Sequence, residues 1–92
     1  MVTTTRWDVA EHLDNDEAIA AYLDAALEEG DPALIKAAIA DVARARGMTE
    51  VAEKAGITRA GLYKALADTG NPSFSTISAV MKALGVRLAV SA

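Results

Sequence analysis

Five glycines divide this chain into short segments of helical character. Gly30, Gly47, Gly56, Gly70 and Gly85 each follow an apolar, alanine-rich stretch. Glycine placed after a helix supplies the left-handed residue that closes it. No segment between these stops exceeds a few helical turns, so the chain is expected to fold as several short helices. Composition agrees with this. Hydrophobic residues make up 52% of the chain but aromatic residues only 4%, and alanine, the strongest helix former, dominates the apolar share. An all-α domain spanning residues 1–92 is the expectation.

The segments read as follows. Before the first glycine, Ile19, Tyr22, Leu23, Ala26 and Leu27 recur at helical spacing over residues 16–29, with acids in the first turn where the helix dipole favours them. Trp7, Val9, Ala10 and Leu13 precede it and suit a short helical turn. Asp31-Pro32 is an N-cap followed by proline at the first helical position. Leu34, Ile35, Ala38, Ile39 and Val42 then form one stripe over residues 33–46. Thr49 is the expected N-cap of a short helix over 49–55, and Thr58 that of another over about 59–68. Ser73 is expected to cap a last helix carrying Phe74, Ile77, Val80, Met81 and Leu84. The alternation in residues 86–90 reads as a short C-terminal β-strand. A strand of that length is not stable alone; it would pair with a symmetry copy or with a sheet edge of a partner, the plainer reading being an extended tail lying on the core.

The net charge of −4 conceals a division of the chain. Residues 1–32 hold one base, Arg6, against nine acids, whereas residues 33–92 hold eight bases against four acids. An acidic front of −8 thus precedes a basic rear of +4. Such asymmetry suits an acidic interaction segment, about residues 6–30, joined to a DNA-facing part; acidic faces that merely confer solubility are the plainer reading.

The chain has no cysteine and one histidine, His12. That leaves neither a disulfide framework nor a thiolate or histidine metal cage, and no metal or cofactor is expected. Catalysis is not expected either, because the acids lie on solvated helical faces and no nucleophile–base set can be assembled around one histidine. No signal peptide or membrane-length apolar run is visible, so the cytoplasm is the expected location.

The stretch most informative about function is residues 49–66, Thr-Glu-Val-Ala-Glu-Lys-Ala-Gly-Ile-Thr-Arg-Ala-Gly-Leu-Tyr-Lys-Ala-Leu. Ala52 is small enough for a second helix to cross closely. Gly56 permits a tight turn, Ile57 plugs the junction, and Val51, Leu62 and Leu66 face inward. Thr58, Arg59, Ala60, Tyr63 and Lys64 are left outward, at the start and along one face of the second helix. This is the layout of a helix-turn-helix at about residues 49–68, whose second helix presents its N-terminal residues to base edges in the major groove. Arg59 is the first candidate for base readout, suited to guanine, with Thr58 and the methyl of Ala60 beside it. Tyr63 and Lys64 support it, and Lys54 and Arg46 are candidate phosphate contacts. Gly61 either lets the backbone approach DNA or is simply tolerated near a helix start. The competing structural reading is an ordinary αα-hairpin in a small bundle.

The segment resembles helix-turn-helix proteins of the lambda-repressor-like class. Over about residues 6–90 the chain is similar to addiction-module antidote (antitoxin) proteins of the HigBA-related type. The residues that carry the resemblance are Tyr22-Leu23, Gly30-Asp31-Pro32-Ala33-Leu34, Ala43-Arg44-Ala45-Arg46-Gly47-Met48-Thr49, Gly61-Leu62-Tyr63-Lys64-Ala65-Leu66, Gly70-Asn71-Pro72-Ser73-Phe74 and Lys82-Ala83-Leu84-Gly85. The resemblance implies a five-helix, lambda-repressor-like fold and a homodimer on a palindromic operator, with half-sites ~34 Å apart. It also implies binding to a co-encoded, ribonuclease-like toxin. Many lambda-repressor-like motifs place glutamine near the start of their first helix, where this chain has Thr49 and Glu50. For the toxin contact, Asp24 and Glu28 on the acidic first helix are the candidates, because a basic, RNA-directed protein would be drawn to them. A stand-alone transcriptional regulator and a protein-interaction domain without DNA binding are the alternatives.

Overall fold

A computed structural model describes residue 13 and residues 15–90 of the chain. Among these residues there are five α-helices and no strand: α1 (Asp16–Glu29), α2 (Pro32–Arg46), α3 (Met48–Ala55), α4 (Arg59–Leu66) and α5 (Phe74–Ala83). None of them is long and apolar enough to cross a membrane. The expectations for Trp7 and His12 lie outside the described residues.

Most helix starts are fixed by a side chain that accepts an otherwise unpaired backbone N–H. Asn15 Oδ1 accepts from Ala18 N at 2.8 Å and Asp31 Oδ1 from Ala33 N at 3.0 Å. Thr58 Oγ1 accepts from Gly61 N at 2.9 Å, and Ser73 Oγ from Thr76 N at 3.1 Å. Each such cap contributes about 1 kcal/mol. The start of α3 departs from expectation. Met48 is buried and already helical, Val51 N donates to Gly47 O at 3.0 Å, and Gly47 is the N-cap with no side-chain bond. Thr49 is therefore inside the helix and exposed. Burial of the Met48 side chain in the core extends the helix by one residue towards its N-terminus, past the cap the sequence suggested.

One core joins all five helices. Ile19, Leu23 and Ala26 of α1 lie against α2, which contributes Ala38, Ile39, Val42 and Ala43. α3 is central: it touches α2, α4 and α5, burying Val51 and Ala52 against Leu62 and Leu66 of α4 and Val80 and Met81 of α5. The apolar stripes thus fall inward as periodicity dictates, except at their ends. Leu27, Leu34 and Phe74 were assigned to stripes yet remain exposed, Phe74 by 74%. All three sit in a terminal turn of their helix.

Residues 86–90 form neither helix nor strand. The alternating pattern is real, but a strand requires a ladder partner, and no described segment offers an edge. After α5 the chain turns at Gly85, Val86 packs on the core, and Leu88 and Val90 remain exposed.

A buried polar link ties α1 to α2. Asp41 is only 2% exposed within the apolar stripe of α2. Its Oδ2 accepts from the Tyr22 hydroxyl at 2.7 Å, and its Oδ1 accepts from Arg44. A buried carboxylate is tolerated when it is hydrogen-bonded and paired in this way. Tyr22 thus sits in the stripe of α1 with its hydroxyl spent on Asp41.

Candidate nucleic-acid interface

α3 and α4 are each eight residues long and are joined by residues 56–58. Gly56 has φ +74°, the left-handed conformation that L side chains rarely adopt. Its N–H donates to Glu53 O at 3.2 Å and Ile57 N donates to Ala52 O at 3.0 Å, so α3 closes by pulling the chain sharply back. Ile57 packs half-buried on the core, and Thr58 caps the new helix. Ala52 and Leu62, 2% and 0% exposed, are the buried contacts of the two helices. With Leu62 and Leu66 turned inward and Ala65 half-buried, the remaining positions of α4 face solvent.

Those positions carry the predicted readout set. Thr58, Arg59, Ala60, Tyr63 and Lys64 are all exposed. Arg59 and Lys64 give α4 two positive charges and no acid. The guanidinium of Arg59 lies over the Tyr63 ring, 5.4 Å from its centroid, and its Nη2 donates to the Tyr63 hydroxyl at 3.3 Å. Residues i and i+4 are neighbours on a helix face, and the cation–π contact adds a modest attraction. One long cation is thereby held along the outer face of α4 with its remaining donors open to solvent.

The rest of the set divides. Arg46, on α2, borders the same open depression as Arg59 and Tyr63, but its guanidinium is paired with Asp16 of α1. Lys54 is paired with Glu50 one turn earlier on α3, at 3.0 Å. Exposed pairs of this kind contribute little, and a phosphate could exchange for either carboxylate. Lys64 lies on the opposite flank, beside Gly70, Asn71 and Pro72. Asp24 and Glu28 are exposed on α1 and border neither depression beside α4.

Several features escaped sequence reasoning. Lys36 of α2 donates from Nζ to Asp68 O at 3.0 Å and Gly70 O at 2.7 Å, fastening the loop after α4 to α2. Gly70 does not adopt a left-handed φ; it is required for space, since a Cβ there would stand 2.4 Å from Lys64 O and 2.5 Å from Ala65 O. Asp41, third, interrupts an apolar run with Arg44 three residues on, the one signal in the sequence that a buried pair was present. Gly61 gains an explanation that was not foreseen: a Cβ there would lie 3.0 Å from Thr58 Oγ1, so glycine leaves room for the cap. Among the described residues no group of acids and histidines is arranged to hold a metal ion.

The described residues thus combine an acidic first helix with a basic, outward-facing α4, and sequence comparison defines the class of the chain. Residues 3–92 match the model of a family described as "probable addiction module antidote protein", and the chain belongs to that family. It is similar to a protein of Haemophilus influenzae strain Rd described as uncharacterized, with 52% identity over 84 residues, covering 91% of this chain and 87% of that one. No solved structure matches the chain.

Proposed function

We propose that this chain is the antitoxin of a type II toxin–antitoxin module of the HigBA-related type. It neutralises a co-encoded, ribonuclease-like toxin by direct binding and represses its own operon by sequence-specific DNA binding. Membership in an antidote family supports the first half, since an antidote implies a toxin as partner. The observation that carries the second half is the α3–α4 pair. Its turn at Gly56 leaves Thr58, Arg59, Ala60, Tyr63 and Lys64 all exposed, with Arg59 and Tyr63 in contact on one flank of α4 and Lys64 on the other.

In this reading α3 and α4 act as a lambda-repressor-like helix-turn-helix. α4 enters the major groove by its N-terminal end, where Arg59 donates to guanine and Ala60 contacts a thymine methyl. Lys64, Lys54 and Arg46 meet phosphates, and a homodimer presents two copies of α4 to a palindromic site. Fluorescence anisotropy with DNA from upstream of the chain's own gene, against a scrambled duplex, tests this half. Tighter binding to the natural duplex, weakening steeply with salt, is expected. Equal affinity for both duplexes at every salt concentration would remove sequence-specific repression from the account.

A further inference from the structure

A groove of about 350 Å³ runs between α1 and the segment that follows α5. Its walls are mostly apolar: Ala21 and Leu27 from α1, and Val86 and Leu88 from the C-terminal segment, with Asp24 and Arg87 supplying the charges. Leu27 and Leu88 are 41% and 42% exposed, so large apolar side chains border the opening and lack full cover. Burial of such side chains is favourable by roughly 25 cal/mol per Å², and an apolar patch rimmed by charge marks a contact site.

The surrounding charge selects among occupants. α1 carries Asp16, Glu17, Asp24, Glu28 and Glu29 and no base. A two-fold contact between copies of this chain repeats the same patch on both sides; through this groove it would set the five acids of one α1 against those of another, with Arg87 the one base in the lining to offset them. A basic partner meets the opposite situation, with attraction at long range and a lower chance of wrong pairing.

We propose that this groove is the docking site for the toxin. The partner inserts a large apolar side chain between Leu27 and Leu88, and flanking lysine or arginine residues of the partner meet Asp24 and Glu28. This rests on the antidote reading and specifies its surface. Residues 86–89 then act as one wall of a binding groove, a role that needs no β-ladder. It also places toxin and DNA on separate faces, because no groove residue belongs to α3 or α4.

The test uses the full chain and, as probe, the purified product of the reading frame adjacent to its gene, measured by calorimetry. Leu27→Gln, Leu88→Gln and Asp24→Lys are the variants, all at exposed positions, with circular dichroism and operator affinity as controls of folding. Each is expected to weaken binding to the probe by ~10-fold or more, the effect of removing a central contact, with operator affinity unchanged. If the natural chain binds the probe and all three variants bind it equally well, the groove is not the docking site and the antidote reading stands. If the natural chain does not bind the probe, both fall. Two other occupants give their own signatures, and either would overturn the proposal. A second copy in the groove would show as a fall in solution mass on Leu27→Gln or Leu88→Gln. The chain's own first twelve residues would show as a shift in Trp7 emission in the free variant.

Discussion

Replacing Gly70 by alanine isolates what holds the α4 face in position. The new methyl carbon would stand 2.4 Å from Lys64 O, 2.5 Å from Ala65 O and 2.9 Å from Ala65 C. All three are backbone atoms in the last turn of α4, so no side-chain rotation relieves the contact. The loop has little freedom to retreat either: Gly70 N donates to Ala67 O at 2.8 Å and Lys36 Nζ donates to Gly70 O at 2.7 Å. Overpacking of this kind costs about 1–3 kcal/mol. For a chain of this size each kcal/mol lowers the melting temperature by ~4–8 °C. Gly70→Ala should therefore melt roughly 4–24 °C below the natural protein. Gly61→Ala is the comparison. There the Cβ would meet only the Thr58 hydroxyl, at 3.0 Å, and alanine recovers up to about 1 kcal/mol of helix propensity. Its melting temperature should stay within a few degrees of the natural value. Thermal unfolding followed by circular dichroism decides the matter. Equal melting temperatures for Gly70→Ala and the natural chain would refute the steric argument and the fixed position of the loop behind α4.

Other consequences follow from the same geometry. Arg59→Ala should raise the operator Kd by the equivalent of ~1–3 kcal/mol, the worth of one bidentate base contact, and leave the melting curve unchanged; anisotropy titration measures it, and natural affinity for operator and scrambled DNA alike would strip Arg59 of that role. Tyr22→Phe removes the hydroxyl that donates to buried Asp41 and should destabilise the fold by about 1–3 kcal/mol, read from urea unfolding, where an unchanged midpoint would mean the link is dispensable. Lys36→Met leaves the carbonyls of Asp68 and Gly70 without their Nζ donor and should cost about 1 kcal/mol; hydrogen exchange at Gly70 and Asn71 should accelerate, and identical protection would contradict the fastening role.

What could be read in advance was set by local chemistry. The caps at Asp31, Thr58 and Ser73 are side chains that bond their own backbone two or three residues on, so adjacent letters suffice to find them. The turn at Gly56 and the inward Val51, Leu62 and Leu66 were legible for the same reason. Helix ends were not. Leu27, Leu34 and Phe74 obey the period of their stripes but stand exposed in terminal turns, and where a stripe loses its cover is not written in the stripe. The alternation in residues 86–90 could not reveal that no edge awaits it. Distant pairs were equally opaque: Tyr22 with Asp41, Lys36 with the loop at 68–70, and Arg46 with Asp16 join segments 19 or more residues apart. The exposed face of α4 was legible as a set of residues. The contact between Arg59 and Tyr63 required the coordinates.

The central claim is that this chain disarms a toxic partner. Growth of cells expressing the adjacent small reading frame, alone and together with this chain, tests it most directly. The account predicts growth arrest by the partner alone and recovery when this chain is co-expressed. A partner that is harmless, or that stays toxic with this chain present at equal levels, would contradict it.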